Sequence, residues 1–197
     1  MAVLSTSANT PIDVSSRALI LIGAEPITSF EDGTNESLVA ANMYEDVARS
    51  SLVNCRWRFA TNQSVLNRLS EKPTGRYDAA YQVPSDSLML HAVTVNDFNI
   101  EYQTYGNKIF CDTSNTSEVV LDYTFRASEQ DWPSYFVMAV QFELASIFAS
   151  SLAQDASLAQ LMGQQAQITM MRARTLDSQQ QTTRKLSTSR FIAERRS

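Results

Sequence analysis

The sequence contains few of the residues that build catalytic and metal sites. It has one histidine, two cysteines and five glycines among 197 residues. Cys55 and Cys111 lack the spacing of zinc ligands and lie in different predicted elements, so we expect neither a disulfide framework nor a zinc site. The glycines form no phosphate-binding pattern, and His91 has no nucleophile motif beside it. We therefore predict a protein that is not an enzyme and uses no cofactor and no metal.

Long apolar runs are also missing. The most apolar segment, residues 135–153, has Gln141 and Glu143 in its middle, where a carboxylate costs about 3 kcal/mol on membrane-insertion scales. We expect a buried helix here and no membrane span. Residues 1–10 show no charged leader followed by an apolar core, so we predict no secretory signal and synthesis in the cytoplasm.

Charge is distributed unevenly along the chain. Residues 179–197 carry a net charge of +4 whereas the whole chain carries −5, so the preceding residues carry −9. The segment 179–197 is rich in Gln, Ser and Thr and has no apolar period, which predicts a flexible basic tail that folds on a partner. An acidic body repels duplex DNA, so a protein partner is favoured over nucleic acid.

Apolar periodicity predicts two helices in the N-terminal part. The first begins near Asp13 as its N-cap and ends with Gly23, and Pro26 prevents it from resuming. Either Thr34 or Asn35 caps the second, which is long and amphipathic.

Two further helices are predicted in the C-terminal part. Asp131 is the expected cap of the third, with Pro133 in its first turn, and the fourth runs from about Asp155 until it meets the tail near Asp177. The packed side of the fourth helix is expected to carry Leu158, Leu161, Met162, Gln165 and Ile168.

The middle of the chain has the pattern of β-strands. Residues 81–126 alternate apolar and polar side chains, and Gly106 with Asn107 forms a hairpin turn between two runs. In the last strand, Leu121 and Tyr123 share the apolar face, whereas Asp122 and Arg126 are expected to face solvent.

The short segment Arg56–Phe59, with the sequence RWRF, alternates cations and aromatic rings. This pattern suggests an extended segment that leads into the sheet. Nucleic-acid contacts are one interpretation, because aromatic rings stack on bases. The favoured interpretation is that the aromatic rings anchor the core while the arginines remain solvated.

These patterns predict an α+β fold. We expect mainly a helical bundle of about four helices, an inserted antiparallel β-sheet subdomain, and a disordered or extended C-terminal tail. One domain spans residues 1–178, with helical parts at about 12–56 and 131–177 and the β insertion at about 78–127. Residues 179–197 are the flexible tail.

Residues 18–59 contain a succession of local signals that identifies a family resemblance. They read ALILIGAEPITSFEDGTNESLVAANMYEDVARSSLVNCRWRF: a helix ending in a Gly-x-Glu-Pro turn, an acidic Ser/Thr loop, a long helix and a Trp-containing exit. This succession resembles the N-terminal region of the head-to-tail adaptors of short-tailed bacteriophages, the tail tubular protein A family. The resemblance is weaker in the β segment, and in the C-terminal helices it is limited to the architecture. The Gln-rich end does not match the family pattern.

The resemblance implies a structural virion protein at the portal vertex, in the tail. Family members form a ring, dodecameric in the virion, between the portal protein and the tail nozzle, and DNA passes through the channel without sequence-specific binding. The loop with Glu31 and Asp32 would then face the channel or a neighbouring subunit. Asp122 and Arg126 would contact the nozzle or tail fibres. Residues of the tail would bind the portal, namely Arg184, Lys185, Arg190, Phe191, Arg195 and Arg196.

Other functions stay open at the level of sequence. A different head-completion or tail component, such as a tail terminator, shares the composition. A small hydrolase or a DNA-binding accessory protein is a further alternative. Glu31 and Asp32 could together bind a cation, although a solvated turn is the favoured interpretation.

Overall fold

A computed structural model describes residues 9–71, 73–114 and 116–180, and the elements below belong to those residues. The helices are α1 (Pro11–Leu21), α2 (Asn35–Val53), α3 (Ser134–Ser151) and α4 (Ala156–Gln179). The strands are β1 (Thr61–Val65), β2 (Ala79–Gln82), β3 (Ser87–Val95), β4 (Phe98–Asn99), β5 (Tyr102–Tyr105), β6 (Lys108–Cys111) and β7 (Val119–Phe125). Two 3-10 turns span Arg58–Ala60 and Glu129–Asp131. The α+β class is confirmed. Of the predicted tail, residues 179–197, Gln179 is the last residue of α4, and residues 181–197 lie outside the described part.

Side-chain caps determine where three of the helices begin. Thr10 caps α1 in a reciprocal capping box in which Asp13 is the third helical residue, so the prediction that Asp13 itself is the cap is wrong by three positions. Thr34, one of the two predicted candidates, caps α2, and α4 begins at the predicted place with Asp155 as its cap. Asp131 lies in the preceding 3-10 turn, and α3 begins after Pro133.

The predicted stop after α1 is confirmed. Gly23 has φ +77°, a left-handed conformation that suits glycine. The N–H groups of Gly23 and Ala24 donate to the carbonyls of Ile20 and Leu19, which is the Schellman pattern of a helix end. Ser16 Oγ then donates to the Ile27 carbonyl at 2.6 Å, so the chain folds back along α1 before α2 begins.

Helix α3 is the centre of the helical part. It packs against α1, α2 and α4, whereas α4 packs mainly on α3. Residues on most of its circumference are buried, because a helix with neighbours on several sides needs no polar face. Residues far apart in the chain therefore share one core, which includes Val14, Leu19, Leu52, Phe136, Leu144 and Phe148.

The β part consists of two antiparallel sheets that share a second, smaller core. Their strand orders are β1-β7-β3-β4 and β2-β6-β5. Strand β1 pairs with β7 along its whole length, so the β part begins at Thr61, earlier than its alternation indicated. The predicted hairpin is confirmed: Tyr105 pairs with Lys108, and Gly106 has φ +59°. Phe125 contacts both cores and marks where the two parts join.

Candidate docking surfaces

The acidic loop between α1 and α2 is organised by Asp32. Its carboxylate accepts hydrogen bonds from the backbone N–H groups of Thr28 at 2.8 Å and Ser29 at 3.0 Å. These bonds, that from Ser29 foremost, lower the pKa of Asp32. Glu31 lies exposed beside it. Asp32 therefore shapes the loop. Over the three described ranges, no three His, Cys, Asp or Glu side chains lie close enough to hold a metal ion.

The prediction that Arg126 faces solvent is wrong. Its guanidinium donates to Glu129 Oε1 at 2.5 Å and to Glu45 Oε2 at 2.9 Å, and it lies 5.5 Å from the centre of the Trp132 ring. Tyr44 Oη donates to the same oxygen of Glu129 at 3.0 Å. Burial, followed by the charge of Glu129, raises the pKa of Tyr44, and hydrogen bonding to Arg126 lowers the pKa of Glu45. The cluster joins the end of β7 to α2 and to the turn before α3.

Asp122 and Thr124 are also covered, on the face of β7 that was expected to be solvated. Arg56, just after α2, donates to Asp122 Oδ2 at 3.0 Å, and Thr124 is fully buried. His91 Nε2 lies 2.7 Å from Thr124 Oγ1. Burial, with a smaller effect of Arg56, lowers the pKa of His91. The prediction failed because the side chains of His91, from β3, and of Arg56, from the chain after α2, contact this face.

In the RWRF segment Trp57 is buried and Phe59 is partly buried, as the favoured interpretation predicted. Trp57 is fully buried and contacts Phe136 edge-on with ring centres 5.0 Å apart, while Phe59 lies 4.9 Å from the same ring. Trp57 Nε1 donates to the Ser51 carbonyl at 2.9 Å. Arg58 remains exposed. The backbone here forms a 3-10 turn and not an extended strand, because both rings turn toward α3.

Asp177 anchors the C-terminal end of α4, a role that sequence reasoning missed. It is buried, and its carboxylate accepts hydrogen bonds from Tyr135 Oη at 2.8 Å and from the Arg58 N–H at 3.2 Å. Burial and the nearby carboxylate raise the pKa of Tyr135 to about 12. A single aspartate at the end of a polar helix carries no sequence signal of burial. The six tail residues predicted to bind the portal lie outside the described part of the chain.

Helix α4 packs through a face that only partly matches the prediction: Met162 packs against the helical core as expected, whereas Leu161 and Ile168 do not. Its buried residues include Met170 and Ala173, and a Cβ on Gly163 would lie 4.0 Å from Ser146 Cβ on α3. Small residues on this face allow the close approach of the two helices. The predicted packed residues Leu161 and Ile168 are instead exposed.

The opposite face of α4 carries a shallow apolar groove. It has a volume of about 470 Å³ and is lined by Ile168, Met171, Arg172, Thr175 and Leu176. Met171 is 58% exposed. A helix face of this kind is typical of an interaction surface.

A second cleft, of about 320 Å³, lies on the three-stranded sheet. Tyr77, Tyr105 and Phe110 contribute aromatic rings to it, and Lys108 and Glu71 form an ion pair of 3.6 Å at its side. Sequence reasoning missed this cleft because its lining comes from a loop and three strands. It is the described surface of the β part that is best suited to hold a partner's side chain.

Neither protein-family models nor curated proteins provide a match for this sequence. The family resemblance therefore depends on residues 18–59 alone. No helix within the described ranges is long and apolar enough to cross a membrane.

Proposed function

We propose that this chain is a non-enzymatic virion protein, a head-to-tail adaptor subunit that forms a ring between portal and tail nozzle. The proposal begins from the resemblance of residues 18–59 to that family. In the structure those residues form the turn at Gly23, the capped start of α2 and the buried Trp57 cluster. They are thus the residues that position the helices.

The strongest structural support for the proposal is the arrangement of the helical core. The N-terminal and C-terminal helices share one core although the whole β part separates them in the chain. Arg126 and Arg56 then tie the β part to the helical part through ion pairs to Glu45, Glu129 and Asp122. The result is a building block with a helical body and a β part held firmly to it, which suits a subunit that must contact different partners with its two parts.

Within this proposal each surface has an assigned partner. The helical body forms the ring wall, and the basic residues between 184 and 196 bind the portal. Glu31 faces the channel or a neighbouring subunit, and an acidic channel wall lets DNA pass with little adhesion. The aromatic cleft of the β part, and not Asp122 or Arg126, contacts the nozzle or fibres, because those two side chains are held in intramolecular ion pairs.

The test is the light-scattering mass of the eluted species after size-exclusion chromatography. The protein is run alone and mixed with purified portal rings encoded by the same genome. We expect the portal peak to gain many copies of a 22.0 kDa subunit. A portal peak of unchanged mass contradicts the proposal, and the same mixture with tail-tube protein then tests the tail-terminator alternative.

A further inference from the structure

We propose that the α4 groove binds Leu38, at the acidic start of α2, from a second copy of this chain. The inference rests on the proposed ring function and names the contact between neighbouring subunits. The groove residues Ile168, Met171 and Leu176 are exposed apolar side chains, and so is Leu38 on a different helix. The contact is head to tail, because two different surfaces of the chain meet.

The helices of the same chain cannot fill this groove. Helix α4 uses Met170 and Ala173 to pack on α3, whereas Ile168 and Met171 lie on the exposed side. Helices α1 and α2 are themselves packed on α3. Any occupant would therefore come from another molecule or from residues outside the described ranges, of which the C-terminal segment follows α4 directly.

Charge favours another molecule over the C-terminal segment. Residues 9–54 contain seven carboxylates and two arginines, whereas residues 156–197 contain seven basic side chains and two carboxylates. Arg172 lines the groove. The chain's own basic tail has the same sign as Arg172, but the acidic start of α2 has the opposite sign, which favours its approach.

The shapes of Leu38 and of the α4 groove also fit the proposed contact. Leu38 lies in the first turn of α2 and is 62% exposed, so it projects as a single apolar side chain. Glu31 and Glu36 precede it in the chain, where they can approach Arg172 of the second copy. A groove of about 470 Å³ has room for one leucine side chain. Repetition of a head-to-tail contact gives a ring when the rotation between copies closes, and a filament when it does not.

Cross-linking between two variants that each carry one accessible cysteine tests the contact directly. Both variants carry Cys55→Ser, and Cys111 is buried. Leu38→Cys and Met171→Cys are mixed at high protein concentration with a short bismaleimide. We expect cross-linked dimers mainly between the two variants, and few when either is treated alone. The matched control replaces Leu38→Cys by Val65→Cys, because Val65 is an exposed apolar residue of the β part, 52% exposed.

Four results would overturn the inference. Met171→Cys that links equally well to itself indicates a two-fold contact, and equal linking to Val65→Cys indicates random collision. A link within one chain between Met171→Cys and Phe191→Cys assigns the groove to the C-terminal segment. Absence of cross-links, with the wild type monomeric in sedimentation up to about 1 mM, shows that no such contact forms with measurable affinity.

Charge reversal gives an independent measurement. Arg172→Glu is expected to weaken self-association by about tenfold in sedimentation equilibrium, because it places a carboxylate against an acidic surface. Arg76→Glu makes the same charge change at an exposed site on the β part and should leave association unchanged. Equal effects of the two variants would contradict the proposed contact.

The two proposals can fail separately. Head-to-tail cross-linking without portal binding supports the contact and contradicts the adaptor function. A portal that gains Met171→Asp subunits in the same number as wild type supports the adaptor function and contradicts the contact.

Discussion

The helical part and the β part of this chain differ in what holds them together. The helical part has a large core with Trp57, Trp132, Phe59 and Phe136 at its centre, whereas the β part has a smaller core between two short sheets. The junction relies on charge, through Arg126 and Arg56. Apolar packing thus builds each part, and a few ion pairs with Phe125 set their relative position. Substitutions in the helical core, at the junction and at single glycines test this difference.

The largest expected effect is on the helical core. Trp57→Ala removes a fully buried ring and its hydrogen bond to Ser51, so we expect the free energy of unfolding to fall by about 3–5 kcal/mol. Denaturant unfolding followed by circular dichroism measures it. Phe98→Ala, at a ring that is 76% exposed, is the control and should change stability by less than about 0.5 kcal/mol. Similar losses in both variants would show that the aromatic cluster is not the centre of the core.

We expect a substitution at the junction between the helical and β parts to cost less stability than the loss of Trp57 and to act locally. Arg126→Met leaves Glu129 without its cation and Glu45 with only the exposed Arg49, so we expect the free energy of unfolding to fall by about 1–3 kcal/mol. Hydrogen exchange should rise most in β7 and in the turn at Glu129–Asp131. Arg49→Ala removes only the exposed pair with Glu45 and should cost less than about 0.5 kcal/mol. Uniform exchange changes over the whole chain would argue against a localised junction.

The junction should also give the chain a specific pH dependence. Arg126 lowers the pKa of Glu45 below its ordinary value of 4.5. A carboxylate with a lowered pKa stabilises the folded state above its ordinary pKa, and this stabilisation is lost as pH falls through the folded-state value. We therefore expect the stability difference between wild type and Arg126→Met to narrow as pH falls from about 6 to 3. Denaturant midpoints at several pH values measure it, and a constant difference would contradict the ion pair.

Two glycine substitutions sharpen the comparison within the helical part. Gly23→Ala should cost about 1 kcal/mol, because φ +77° is unfavourable for a side chain with a Cβ. Gly163→Ala lies inside α4, and its Cβ would meet Ser146 Cβ at an ordinary 4.0 Å, so we expect stabilisation of about 0.5–1 kcal/mol. Thermal unfolding of both variants measures whether each substitution stabilises or destabilises the protein. A loss at Gly163 would indicate that the contact between α3 and α4 has no room for the added methyl group.

The sequence by itself determined the types and order of the elements. The cap at Thr34, the stop at Gly23, the cap at Asp155 and the hairpin at Gly106 are each encoded within a few neighbouring residues. Such signals act through local hydrogen bonds and backbone conformation. They can therefore be recognised in the sequence without knowing which other elements pack beside them. The β alternation likewise identified the strand that became β7.

Only the tertiary structure decided which faces these elements bury. Helix α4 packs through Gly163 and Ala173 and exposes Ile168, since close approach to α3 selects small side chains over large ones. Arg126 and Asp177 are enclosed by partners from distant segments. A polar side chain is buried when remote groups satisfy its charge and hydrogen bonds, and no local pattern in the chain encodes which groups those will be.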